Sequence, residues 1–168
     1  MEKLYAPWRH GYVTKTDPNM PTGPLKNNCV FCDQFAQNND EKYLILKRGQ
    51  HTAVVMNYYP YNAGHLMVLP LEHKANLNDL TPEVRAELME LVNLSLNVVQ
   101  EALKCAGFNV GINVGETGGG GIPSHLHMHI VPRWKGDTNF MATVAETTLI
   151  CSPFHELYKN FKDIFDKS

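Results

Sequence analysis

The chain has no apolar run approaching the roughly 18–20 residues that a membrane helix needs. Its first residues, Met1 to His10, contain no apolar core of the kind a secretory signal carries. Charge is also scarce: charged residues are 19% of the 168, and the formal net charge is -2. Without a broad basic field, neither nucleic acid nor a membrane surface is an expected partner. A small anion remains open, because main-chain N–H groups can hold phosphate without lysines. Cysteine is sparse, at four residues. With a cytoplasmic location as the expectation, metal ligation or plain thiols are expected rather than disulfides. What is present is a 43% apolar chain, enough for one ordinary globular domain.

Residues 1–28 read as an irregular N-terminal extension, broken by Pro7, Pro18, Pro21 and Pro24. Apolar segments 43–47 and 52–57 predict a hairpin turning near Gly49, and Gly64 to Leu69 a third strand stopped by Pro70. The period then changes. Thr81 suits an N-cap, Pro82 the first helical position and Glu83 the positive end of the dipole. Val84, Leu88, Leu91, Leu94, Val98 and Leu103 follow at helical spacing, predicting a helix from about 82 to 105 with Gly107 as its stop. Phe108, Val110, Ile112 and Val114 alternate with polar residues or glycine, as a strand does. Ser152-Pro153 opens a last predicted helix, with Phe154, Leu157, Phe161 and Phe165 on one side. Strands, a long helix and strands again imply an α+β fold with an antiparallel sheet covered by helix.

Three of the eight histidines stand at alternate positions in His125-Leu126-His127-Met128-His129. On a strand these imidazoles share a face about 6.5–7 Å apart, with Leu126, Met128 and Ile130 turned into the core. Packing does not call for three imidazoles on one face. Two chemistries fit: a metal site, or covalent catalysis in which one imidazole attacks phosphorus. The spacing alone does not choose between them.

The run His-Leu-His-Met-His-Ile-Val resembles the signature of the histidine triad (HIT) family. The likeness extends over about residues 29–135, through Cys29-x-x-Cys32, Val55-Met56-Asn57, Gly64-His65-Leu66-Met67-Val68-Leu69-Pro70, His73 and Asn113. Ala6-Pro7-Trp8-Arg9, and Pro132-Arg133-Trp134 with Gly136-Asp137-Thr138-Asn139-Phe140, look like the branch that contains bacterial diadenosine tetraphosphate phosphorylases. The resemblance implies a HIT-like fold: an antiparallel sheet of about five strands, a long central helix and a C-terminal helix. Its expected divisions are the extension 1–28, a HIT domain over 29–150, and a helix within 151–168 packed on that domain.

The resemblance also implies roles. His127 would attack the α-phosphate of a nucleotide, a task neutral imidazole can perform near pH 7. His129 would stabilise the charge on that phosphate, and His65 could orient His127. Asn57 stands where the family contacts ribose and Asn113 where it contacts phosphate; a turn or strand-edge role is the plainer alternative for both. Gly119, Gly120 and Gly121 could turn N–H groups toward phosphate oxygens, or simply form a flexible connection. Many members carry serine or glutamine shortly before the triad to assist the leaving group. Ser124 adjoins this triad but is not at that position, so hydrolysis and phosphorolysis both stay open.

A Cys-x-x-Cys pair by itself fits zinc or redox chemistry. A redox pair opens a helix after a strand, which the proline-rich residues 18–28 do not lead one to expect. Zinc-bearing members of the family use positions that here are Cys29, Cys32, His73 and His125. Such a closed site would be structural and would remove His125 from the chemistry. Cys105 and Cys151 read as plain thiols.

The expected activity is therefore nucleotide hydrolysis or nucleotidyl transfer on dinucleoside polyphosphates or nucleoside phosphoramidates, with structural zinc and no organic cofactor. The alternatives are a zinc hydrolase whose three triad histidines share one catalytic metal, and a non-catalytic nucleotide-binding protein. A homodimer is expected from the resemblance. Met89, Val92, Leu96 and Val99 on the long helix fit either a second buried surface or packing within one chain.

Overall fold

The computed structural model describes residues 28–37, 39–137 and 153–168. The Ala6–Arg9 segment, Thr138-Asn139-Phe140, Cys151, Ser152 and all but the last residue of the expected extension lie outside the described residues. Among the described residues a five-stranded antiparallel sheet carries the architecture, in the order β1-β2-β3-β5-β4. The strands are β1 (Ile45–Arg48), β2 (Thr52–Met56), β3 (Leu66–Pro70), β4 (Gly107–Ile112) and β5 (Met128–Arg133). Three helices accompany them: α1 (Val30–Ala36), α2 (Pro82–Leu103) and α3 (Phe154–Phe165).

Every residue of β2 and β3 is buried, because both faces of the sheet are covered there. Alternate side chains serve two cores. Val54, Met56, Leu66 and Val68 join Leu126, Met128 and Ile130 under α2 and α3. Ala53, Val55, Met67 and Leu69 face the other way, toward Cys29, Phe31 and Cys32 at α1. Since Met67 pairs with His129 across the β3–β5 ladder, the histidines lie on this second, α1 side of the sheet.

Helix α2 begins as its sequence dictates, with the Thr81 side chain accepting from the Val84 N–H and Pro82 at the start. It buries Leu88, Leu91, Val92, Ser95, Val98 and Val99, one stripe at helical spacing. Val92 and Val99 therefore pack within the chain, whereas Met89 is 53% exposed. The helix stops at Lys104, which takes the left-handed conformation (φ 49°) and closes the last turn on the Gln100 carbonyl. Gly107, the expected stop, instead opens β4. Helix α3 buries Leu157, Phe161 and Phe165 as expected, leaves the expected Phe154 half-buried, and also buries Tyr158, which the pattern did not single out.

Three other expectations need correction. The histidine run is not wholly strand: β5 begins at Met128, so only His129 of the three sits in the ladder. The inward alternation of Leu126, Met128 and Ile130 nevertheless persists. Pro70 does not stop β3 but ends it from inside, paired with Thr52. The cysteine pair does open a helix, with Cys29 as its N-cap and Cys32 in its first turn. Nothing periodic announced that seven-residue helix, which is shorter than the windows from which helical spacing can be read.

Gly64 places His65 where the site needs it. It adopts φ +74°, and a Cβ built on it would lie 2.5 Å from Leu103 Cδ1 and 3.2 Å from Phe161 Cζ. We expect Gly64→Ala to lower unfolding free energy by about 2–4 kcal/mol, from left-handed backbone strain and overpacking together. Urea titration measures this; a change below about 0.5 kcal/mol, the size of an ordinary surface substitution, would contradict the close packing described.

Candidate active site and metal centre

Two clusters share the α1 face, joined by the segment 125–129. In the first, four ligand atoms from Cys29, Cys32, His73 and His125 lie within 4.8 Å of one another. His125 Nδ1 is 3.3 Å from Cys29 Sγ and 3.5 Å from Cys32 Sγ, and His73 Nδ1 is 3.2 Å from Cys32 Sγ. Around a tetrahedral zinc, with bonds of about 2.3 Å to sulfur and about 2.0 Å to nitrogen, neighbouring sulfur and nitrogen ligands stand about 3.5 Å apart. The three sulfur–nitrogen separations thus match the spacing around such a metal. His125 Nε2 donates to the Pro70 carbonyl at 2.9 Å, which leaves Nδ1 as a bare lone pair aimed at the sulfurs. Burial, opposed by the Pro70 bond and reinforced by His73 and His127, lowers the His125 pKa to about 4. The ring is therefore neutral near pH 7, the state a metal requires. Although the pair opens a helix, these imidazole contacts favour ligation over a redox role. The group can bind a metal.

In the second cluster, main-chain partners dictate which ring nitrogen carries each proton. His127 Nδ1 lies 2.8 Å from the His125 main-chain oxygen. A carbonyl only accepts, so Nδ1 holds a proton, and in the neutral ring the lone pair is on Nε2. His65 Nδ1 receives the Tyr61 N–H at 3.0 Å and faces Asn57 Nδ2 at 3.2 Å. Its proton is thus on Nε2, which donates to His129 Nδ1 at 2.9 Å. That forces the His129 proton onto Nε2. This atom is buried and has no hydrogen-bond partner among the described residues. The His127 and His129 rings stand 4.9 Å apart and nearly perpendicular. One offers a lone pair and the other an unspent N–H.

Burial, then the proximity of His129 and His127, lowers the His65 pKa to about 3. Burial, then His127, lowers that of His129 to about 4. Near neutral pH, His129 offers a hydrogen-bond donor rather than a positive charge. His65 orients His129; the orientation of His127 comes from the carbonyl of His125 instead.

The remaining expected residues are distributed unevenly. Asn57 is buried; its Oδ1 accepts the Tyr59 N–H at 3.0 Å, an Asx-type turn that starts the loop to His65. Asn113 follows β4 and lies against the glycine loop. A Cβ built on Gly120 would stand 3.6 Å from Asn113 Cβ and 4.0 Å from His127 Cε1. Gly120 therefore borders the His127 ring, whereas Cβ atoms on Gly119 or Gly121 would meet nothing within 4 Å.

Sequence reasoning missed four participants. Phe31 packs its ring 5.5 Å from His125 and 5.7 Å from His127. Tyr61 lies 4.6 Å from the His65 ring and 5.5 Å from that of His129. The main-chain oxygens of Pro70 and His125 are the others. Phe31 sits inside the cysteine motif, and Tyr61 ends a cluster of tyrosines shortly before Gly64-His65. Either could have been noticed. Main-chain acceptors leave no trace in composition.

The HIT domain profile matches residues 37–136. The chain belongs to the HIT family. Among its HIT relatives, the AP-4-A phosphorylase of Mycobacterium tuberculosis is 38% identical over 154 residues, covering 89% of this chain and 77% of that protein. The fold is likewise that of solved HIT structures. A zinc-bound histidine triad family protein from Mycobacterium smegmatis superposes with a TM-score of 0.68 at 22% identity, over 84% of this chain and 95% of that one. A hypothetical histidine triad nucleotide-binding protein from Sulfolobus tokodaii gives 0.67 at 26% identity, over 83% and 93%. No helix among the described residues is long and apolar enough to cross a membrane.

The lowered histidine pKa values carry a stability consequence. His65 and His129 ionise with more difficulty folded than unfolded, where imidazole titrates near 6.5. The unfolded chain therefore binds more protons between these values. The stability from keeping the rings neutral is complete above pH 6.5 and is lost as pH falls through about 4. We expect the melting temperature to drop from pH 7 to 4, and the gap between wild type and His65→Gln to narrow over that range. A constant gap would show that His65 titrates normally in the fold.

Proposed function

We propose that the chain is a nucleotidyl-transferring enzyme that cleaves dinucleoside polyphosphates at the α-phosphate through a nucleotidyl intermediate on His127, with inorganic phosphate as acceptor. The observation that carries this reading is the opposed pair of tautomers: a lone pair on His127 Nε2 beside an unspent N–H on His129 Nε2. The relative named AP-4-A phosphorylase supports the substrate and acceptor classes.

In the first step His127 Nε2 attacks the α-phosphorus. The N–P bond forms, the P–O bond to the rest of the polyphosphate breaks, and its electrons leave on the bridging oxygen. The ring becomes cationic, and its Nδ1–H strengthens the bond to the His125 carbonyl. His129 Nε2–H points a donor at the phosphoryl oxygens, where charge accumulates. In the second step a phosphate oxygen attacks the same phosphorus, the N–P bond breaks, and neutral His127 returns. Asn57, Asn113 and the N–H groups of Gly119, Gly120 and Gly121 are the proposed contacts to ribose and phosphate. Cys29, Cys32, His73 and His125 would hold structural zinc, which ties α1 to the histidine segment. A homodimer is proposed through the edge strand β4, where Val110 is 44% exposed, and through α2 at Met89.

The alternative of one catalytic metal held by all three triad histidines has no support in this geometry. Only His125 belongs to the converging ligand set.

Diadenosine tetraphosphate assayed with and without inorganic phosphate tests the reading. ADP with ATP, formed only with phosphate, is expected; AMP with ATP, independent of phosphate, would assign water as the acceptor. His127→Ala is expected to lose about a thousandfold or more in turnover. Losing one donor in His129→Phe is expected to cost about a hundredfold. Full activity in His127→Ala would overturn the covalent route.

A further inference from the structure

We propose that the Cys29–Cys32–His73–His125 cluster, once it holds its metal, positions the nucleophile as well as the fold, acting on His127 through the main-chain carbonyl of His125. This rests on the functional reading above and adds a second role to the metal centre.

The geometry gives His125 three engagements. Its Nδ1 faces the cysteine sulfurs, its Nε2–H holds the Pro70 carbonyl, and its own carbonyl accepts the His127 Nδ1–H. That last bond keeps the lone pair on His127 Nε2. The alternative tautomer would place the lone pair on Nδ1, toward the carbonyl oxygen, where it repels and cannot reach a substrate.

The sheet does not hold this carbonyl in place. Strand β5 starts at Met128, so residues 125–127 precede the ladder. Two of the anchors that fix the segment run through the metal cluster. One is the His125 side chain itself. The other is the Leu126 N–H, which donates to the Lys74 carbonyl at 2.7 Å, and Lys74 directly follows the ligand His73. A metal joining His73 and His125 would therefore lock together both strands of chain that present the His125 carbonyl. His125 is a positioning residue in this scheme, and His73 acts through it.

The test uses the ¹⁵N-labelled chain, with histidine tautomers read by two-bond ¹H–¹⁵N spectra in zinc-loaded and chelator-stripped protein. In the loaded form His127 should carry its proton on Nδ1. In the stripped form its two nitrogens should move toward a mixture of tautomers. Turnover should fall about tenfold, the worth of one orienting hydrogen bond, with KM held within about twofold. His73→Ala should reproduce the stripped state, and His73→Cys, which restores a ligand, should reverse it.

Should stripping unfold the chain, zinc-loaded and cadmium-loaded protein are compared, since both are metal-bound and differ in ligand bond length. His127 resonances that move between the two support the coupling. Identical His127 resonances in the presence and absence of metal, or between the two metals, would overturn it. Because the tautomer readout needs no turnover, it is independent of whether His127 is the attacking group. A chain that binds no ion at all fails the metal reading itself, whereas a bound ion with an unmoved His127 refutes only the coupling.

Discussion

The bond from His127 Nδ1 to the His125 carbonyl, 2.8 Å long, decides what the site can do. It connects two otherwise separate pieces of chemistry. On one side, His125 turns its free ring nitrogen toward two cysteine sulfurs and spends the other on Pro70. On the other, the same residue's carbonyl directs which nitrogen of His127 keeps its lone pair. Residues with the same side chain, two positions apart, thus take opposite tautomers: Nδ1 bare on His125, Nε2 bare on His127.

Burial gives the neighbouring pair its character. His65 is buried and His129 half-buried, and desolvation keeps both rings neutral well below the ordinary imidazole range. These two rings contribute direction instead of charge. The Tyr61 N–H starts an ordered chain through His65 to His129 that ends on a buried donor with no hydrogen-bond partner among the described residues. A preorganised neutral donor costs little reorganisation when charge develops beside it. The acid sensitivity of the fold is the consequence of holding imidazoles in this state.

Much of this was legible in the sequence because it is written in side-chain periodicity. Helix α2 is announced by Thr81-Pro82-Glu83 and its apolar stripe, and α3 by its four spaced aromatic and aliphatic residues. Alternation divided the histidines from Leu126, Met128 and Ile130 even where the backbone is not strand. The likeness to HIT proteins drew Cys29, Cys32, His73 and His125 together across the chain, and the structure has their ligand atoms converging. What was not legible belongs to the main chain or to short elements. Helix α1 is too brief to show a period, the αL stop at Lys104 needs no glycine, and the pairing of His65 with His129 instead of His127 depends on the turn that brings the Tyr61 N–H to His65. The carbonyls of Pro70 and His125, on which the tautomers rest, have no side-chain signature.

The central claim is that one histidine of the three carries the nucleotide and that the other two do not. The most direct measurement is peptide mapping by mass spectrometry of protein quenched in alkali during turnover of diadenosine tetraphosphate, conditions in which a phosphoramidate bond survives. The account predicts an adenylyl group on the peptide containing residues 125–129, with fragmentation assigning it to His127. An adduct on His125 or His129, or turnover with no adduct on this peptide in either wild type or His129→Phe, would contradict it.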